Sequence, residues 1–216
     1  MRSVLIIGIG RFGRHLASKF VELGTEVMIV DQEEKNIGDL VSVVTSAQVA
    51  DCTDERVIES LEVDSFDICF VCISTNFQSS LEITSQLKEH GAKHVVSRAS
   101  RDIQAKFLLR NGADAVIYPE RDVAYQAAVK YSDNNVFEYM ELTPDYAICE
   151  ISPPQKWLGR TLREIGVRSN HNINIIAYRR GEQVMPLVQA DYVCKPEEHL
   201  VVAGALADTE KLLRRR

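Results

Sequence analysis

Residues 4–13 read Val4-Leu5-Ile6-Ile7-Gly8-Ile9-Gly10-Arg11-Phe12-Gly13, and an amphipathic run then leads to Val27-Met28-Ile29-Val30-Asp31. An apolar run of strand length meets Gly-x-Gly-x-x-Gly, a helix-like segment follows, and a second apolar run ends in an acid. Each piece has a physical task in holding a nucleotide. Gly8 allows a tight turn out of the strand, Gly10 lets the backbone approach a pyrophosphate, and Gly13 lets the helix pack near the sheet. The helix N-terminus then offers unpaired N–H groups to the phosphates. Asp31 lies 18 residues beyond Gly13. It ends the second strand, where an acid accepts hydrogen bonds from ribose hydroxyls. A strand before, a helix after and an acid in place separate this fingerprint from a bare tight turn.

Outward from this stretch, strands alternate with helices as far as residue 118. A helix is expected over 33–40 and a third strand within 41–50, ending in Ala50-Asp51-Cys52-Thr53. Thr53 or Asp54 caps a helix over 55–61. The apolar run 66–73 reads as a strand covered on both faces, and it ends at Ser74-Thr75-Asn76. A helix over 77–90, a strand over 94–97 with Arg98 just past its end, and a helix over 102–111 follow. A strand over 115–118 precedes Pro119-Glu120, which opens a helix running to residue 132. The pattern implies an α/β fold, a Rossmann-like doubly wound parallel sheet with its strand ends along one edge. The nucleotide-binding domain spans 1–134 and closes with the helix 121–132 as a crossover. Beyond it the pattern changes: strands over 136–142 and 146–151, a helix over 161–165, strands over 173–178, 183–187 and 200–203, and a helix from 208. Residues 135–216 therefore form a small α+β lobe.

The chain has 216 residues, 45% hydrophobic and 26% charged, which allows two domains. A net charge of −6 and a pI near 5.4 argue against sequence-independent binding to nucleic acid or an anionic membrane. Arg214-Arg215-Arg216 suits the C-terminal dipole of a last helix. No apolar run approaches the roughly 20 residues that cross a bilayer, so direct membrane insertion is not expected and a cytoplasmic location is. The five cysteines sit in or beside apolar runs, as small buried hydrophobes in a reducing compartment do. Cys69 and Cys72 form a C-x-x-C on a strand, where residues three apart face opposite sides, so neither a metal nor a redox pair is expected. His15, His90, His94, His171 and His199 show no metal-ligand spacing.

Gly8-Ile9-Gly10-Arg11-Phe12-Gly13, Val30-Asp31, Ala50-Asp51-Cys52-Thr53, the Asn76 strand end, Gly112-Ala113-Asp114 and Tyr118-Pro119-Glu120 occur in this order. Together they resemble the cytosolic gating subunits of the Ktr/Trk potassium-uptake systems, built on the domain that regulates potassium conductance (RCK). The resemblance covers the whole chain, with an RCK N-lobe followed by an RCK C-lobe. It implies a regulatory subunit and not an enzyme. It also implies assembly of dimers into a ring, an octamer, on a dimer of potassium-translocating membrane subunits at the inner face of the membrane. ATP, ADP or a dinucleotide in the lobes would set whether the partner is open.

The resemblance also implies residue roles. Asp31 would hold the adenosine ribose, and Arg11 would meet a terminal phosphate, including that of a neighbouring subunit's ligand. Glu120 would sit near the phosphates of a neighbouring site and help hold Mg2+ or another divalent cation. Phe12, Asp51, Cys52, Thr53, Thr75, Asn76 and Arg98 would complete the crevice. In the C-terminal lobe, some Ktr members bind cyclic di-AMP between paired lobes, and Arg168, Asn174, Ile175, Ile176 and Pro186 stand at the matching positions.

Two other functions use the same fingerprint. A dehydrogenase must place a proton donor or acceptor near the nicotinamide, and the tail shows no such constellation. An NADH-sensing repressor needs a basic helix for DNA, which this acidic chain lacks. Asp31 suits any unmodified ribose and repels a 2′-phosphate, so the choice between ATP/ADP and NAD/NADH stays open.

Overall fold

The first strand, β1 (Ser3–Ile7), is apolar on both faces, so helices must cover both sides of the sheet it joins. In the computed structural model, Leu5 and Ile7 share a core with Ile58, Ile83 and Leu87, whereas Val4 and Ile6 share one with Ala17, Ile29 and Ile37. The structure describes residues 2–214 except 133, 134, 144 and 187, and the backbone alone at 210, 213 and 214. On the first face lie α3 (Glu55–Ser60) and α4 (Phe77–Glu89), and on the second α1 (Arg11–Glu22) and α2 (Glu34–Ile37).

Six strands form the parallel sheet: β1, β2 (Glu26–Asp31), β3 (Ser46–Val49), β4 (Ile68–Val71), β5 (Val95–Arg98) and β6 (Ala115–Ile117). Their order is β3-β2-β1-β4-β5-β6. The order reverses between β1 and β4, and a crevice opens outside the carboxyl ends of the strands at such a switch point. The Rossmann-like doubly wound sheet expected from the sequence is thus present. α5 (Asp102–Arg110) covers one end of it, with Leu108 packed beside Ala99 and Ala113.

The chain divides into two compact units, 1–120 and 121–216. The sequence places the boundary at 134/135, and Asn134 lies outside the described residues. All but the first two residues of α6 (Pro119–Ser132) fall in the second unit. There Val129 packs on the second core, and the Tyr125 ring meets Tyr139 edge-on at 6.0 Å.

The second unit carries an antiparallel sheet in the order β10-β9-β11-β8-β7. Its strands are β7 (Val136–Thr143), β8 (Tyr146–Ile151), β9 (Ile173–Arg180), β10 (Gln183–Pro186) and β11 (Glu198–Ala205). Its further helices are α7 (Leu162–Ile165), α8 (Val167–His171) and α9 (Leu206–Arg214). Trp157 is fully buried among Leu162, Ile165, Ile173 and Leu200. Thr161 and Glu164 close a reciprocal capping box at the start of α7. Glu198 is 0% exposed and accepts from Arg180 Nε and Tyr192 Oη, both at 2.6 Å.

Two local expectations differ from the structure. Residues 41–45 form a turn, with Val41 and Val43 exposed, so the third strand is only four residues long. Thr45 explains the late start: its hydroxyl accepts from the Val27 N–H at 3.0 Å and occupies a ladder donor from the side. α8 is an unexpected turn held between two left-handed residues, Gly166 (φ +66°) and Asn172 (φ +55°). Cys69 and Cys72 do fall in opposite cores, as strand alternation requires. Leu187 and the basic tip Arg215-Arg216 lie outside the described residues. Among the described residues, no helix is long and apolar enough to cross a membrane.

Candidate functional site

The glycine turn is built almost wholly from backbone. Gly8 has φ +93°, a region that favours glycine, and its N–H donates to the Val30 carbonyl at 2.9 Å. At Gly13 a Cβ would stand 2.2 Å from the Gly8 carbonyl oxygen, so α1 seats where it does only because that position has no side chain. Gly10 is the N-cap of α1 and has nothing within 4 Å of where its Cβ would be. No side chain caps this helix and no acid occupies its first turn. An anion is the natural complement to such an end.

From this turn a cleft runs across the strand ends. It is lined by Ile7, Gly8 and Gly10, by Asp31, Gln32, Glu33 and Asn36, by Ala50, Cys52 and Thr53, and by residues 72–76 with Ser79 and Ile83 of α4. It encloses about 280 Å³, at the small end of the range of small-molecule sites.

Asp31 is 8% exposed and firmly oriented. Its Oδ2 accepts from the Ile9 N–H at 2.6 Å, and its Oδ1 accepts from the Glu33 N–H at 2.9 Å and from Asn36 Nδ2 at 3.0 Å. Arg14 of α1 ties down the same region, donating to the Asn36 carbonyl at 2.8 Å and to Asp39 at 3.4 Å.

On the other wall, Asp51 accepts from the Thr53 N–H at 3.0 Å and from its hydroxyl at 2.8 Å, which shapes the turn after β3. Asn76 caps α4 by accepting from the Ser79 N–H at 3.2 Å, and exposed Thr75 precedes it on the cleft wall. Cys52 and Cys72 present buried thiols to the cleft. Burial pushes both up to about 12, and at Cys52 the carboxylates of Asp51 and Asp31 add to the effect. At neutral pH they are protonated, apolar wall and not nucleophiles.

Other residues expected in the crevice stand outside its lining. Arg11 is exposed at the start of α1, and Asp51 acts through Thr53. Arg98 ends β5, and its guanidinium lies 5.6 Å from the Phe12 ring centroid and donates to the Glu120 carboxylate. Its Nε is buried and meets no hydrogen-bond partner among the described residues. Arg98 and Glu120 thus pair with each other, because the last strand residue and the first turn of α6 meet at this edge. No group of three or more His, Cys, Asp or Glu able to hold a metal occurs among the described residues, and Glu120 brings a single, already paired carboxylate.

In the second unit, a hollow beside α8 is lined by Arg163, Gly166, Arg168, Ser169, Ile175 and Val188, among others. Of the five residues expected for a second ligand, Arg168 and Ile175 line it. Asn174 and Ile176 do not, because alternation along β9 turns them to the opposite face, and Pro186 is exposed on β10.

Residues 4–119 match the TrkA-N domain and residues 147–215 the TrkA-C domain. The chain belongs to the Ktr/TrkA family. It is 34% identical to Ktr system potassium uptake protein C of Bacillus subtilis (strain 168), over 97% of this chain and 95% of that protein. It is 29% identical to Ktr system potassium uptake protein A of Vibrio alginolyticus, over 92% of this chain and 90% of that one. In fold it is similar to the GsuK channel bound to NAD, with a TM-score of 0.69 at 19% identity, over 99% of this chain and 40% of that chain. This Ktr/TrkA chain therefore spans less than half of that channel.

Sequence reasoning missed the apolar walls of this Ktr/TrkA cleft (Ile7, Ala50, Cys72, Ile73 and Ile83) and four of its polar side chains, Gln32, Glu33, Asn36 and Ser79. The signal for Gln32, Glu33 and Asn36 was the helix that opens directly after Asp31, which folds their side chains back over the strand end.

Proposed function

We propose that this chain is a nucleotide-binding regulatory subunit that gates a potassium-translocating membrane protein. One observation carries the reading: a single cleft joins an uncapped, side-chain-free helix start at one end to an oriented carboxylate, Asp31, at the other. That pairing suits the phosphates and the ribose of an adenine nucleotide. The chain also covers nearly the full length of a Ktr potassium uptake protein. Binding itself is the output, so no turnover is required.

A ligand shifts the equilibrium between two ring shapes only by its differential affinity for them. Arg11, exposed beside the phosphate end, is the residue placed to sense a third phosphate, from its own cleft or a neighbour's. ATP and ADP are the first ligands to test. NAD and NADH are the second reading, favoured by the NAD-bound channel of similar fold. A divalent cation at Glu120 would need nucleotide phosphates as its other ligands and would have to displace Arg98. Cyclic di-AMP beside Arg168 and Ile175 is a separate proposal for the second unit. The subunit would form dimers and a ring on the cytoplasmic face of its membrane partner.

The test is isothermal titration with ATP, ADP, NAD and NADH, with and without magnesium, alongside the mass in solution. Tight binding of adenine nucleotides by a multi-subunit species supports the gate and leads to potassium-flux assays with a Ktr membrane subunit. Preference for NADH in a small oligomer would put a redox enzyme or sensor first. Discrimination between ATP and ADP that survives Arg11→Ala would remove Arg11 from the mechanism.

A further inference from the structure

Asp31 cannot hold a ribose alone. A carboxylate offers about four acceptor positions, and three of them are filled from within the chain by the Ile9 N–H, the Glu33 N–H and Asn36 Nδ2. One position is left, on Oδ2. A ribose presents two adjacent hydroxyls, so the second needs another group.

Asn36 stands at that point. A carboxylate only accepts, so the amide nitrogen of Asn36 must be the atom facing Asp31, and this fixes which way the amide is turned. Its amide oxygen accepts from no group that the described residues show, and the side chain lines the cleft beside Asp31. The residue is also held from behind. α2 has only four residues, and it is fixed by burial of Ile37 and by Arg14 bonded to the Asn36 carbonyl. A side chain on so short a helix keeps its place only through such anchors.

We infer that Asn36 is a specificity-determining residue of this cleft. Its amide nitrogen holds Asp31 in the pose that accepts one ribose hydroxyl, and its amide oxygen accepts the other. The ligand class selected is a nucleotide with an unmodified vicinal diol. The inference rests on the reading of the cleft as a nucleotide site.

The experiment is titration calorimetry of the full chain with ADP, 2′-deoxy-ADP and 3′-deoxy-ADP. Wild type should favour ADP over each deoxy form by about tenfold, the size of one hydrogen bond to a polar partner. Asn36→Ala should bind ADP about tenfold more weakly and lose its selectivity against one of the two deoxy forms, with its melting temperature kept as a check on folding. Asn36→Asp keeps the shape but cannot donate to Asp31, and should lose more affinity than Asn36→Ala. An Asn36 that only supports the fold would weaken all three ligands by one common factor, which overturns the inference. Wild type that binds all three ligands equally also overturns it, while the nucleotide site stands. Wild type that binds none of them overturns both.

Discussion

Exchanging Gly13 and Gly10 separately for alanine should divide folding from binding. At Gly13 the new methyl would lie 2.2 Å from the Gly8 oxygen, whereas ordinary contact begins at 3.4 Å. The first turn of α1 must therefore move outward by about 1.2 Å, the difference between those two distances. Overpacking of this kind costs about 2 kcal/mol and should lower the melting temperature of the first unit by about 10 °C. The same shift carries the helix N–H groups off the ligand's phosphates, so ADP affinity should fall at least about tenfold. At Gly10 nothing stands within 4 Å, so alanine should cost less than about 1 kcal/mol in folding while obstructing the phosphates' approach. The assay is thermal unfolding by circular dichroism, without ADP and with ADP at about 100 times its Kd, where wild type gains about 2.7 kcal/mol. Gly13→Ala that melts with wild type would refute the packing argument. Gly10→Ala that keeps the full ADP stabilisation would refute the placement of the phosphates.

Acid should weaken the second unit through Glu198. Burial opposes its ionisation, but hydrogen bonds from Tyr192 and Arg180 outweigh that and hold the carboxyl below the usual range. A lowered folded value means the stabilisation is complete above the unfolded value, about 4.3, and lost as pH falls through the folded one. Denaturation monitored at Trp157 should show this loss, and Glu198→Gln should flatten the acid limb while lowering stability at pH 7. Glu120→Gln should change stability by less than about 1 kcal/mol, since its carboxylate is mostly exposed. If Glu120 serves phosphates through a cation, the variant will still lose the magnesium dependence of ATP binding, and calorimetry that finds the dependence intact removes that role. All five cysteines are buried, and burial raises Cys52, Cys69 and Cys72 to about 12. The native chain should therefore release no rapid thiol signal with a disulfide reagent at pH 8 until it is unfolded.

The sequence was most legible where one residue type has one physical reason to be present. Gly8 and Gly13 could be assigned tasks from the sequence alone, because a positive φ and a close backbone approach leave few substitutes. The near-continuous apolar run that holds β4 likewise announced a sheet covered on both sides. Reading failed where partners come from distant segments. Nothing near Arg98 in the chain says that it will meet Phe12 on one side and Glu120 on the other. Val41 and Val43 have strand propensity but no ladder to join, because Thr45 intervenes with a side-chain bond. Of the five C-lobe residues named through the resemblance, β9 sets Asn174 and Ile176 on the face opposite Ile175.

The contact between Gly13 and Gly8 has a consequence for anyone wishing to redesign this protein. The glycine-turn end of the cleft is written in main chain, so at Gly8 and Gly13 it offers a mutational library nothing to vary without unseating α1. New ligand preferences have to be sought at the opposite end, among Asp31, Gln32, Glu33 and Asn36, where side chains form the wall. The cleft is a fixed socket with an adjustable rim, and selection can act freely only on the rim.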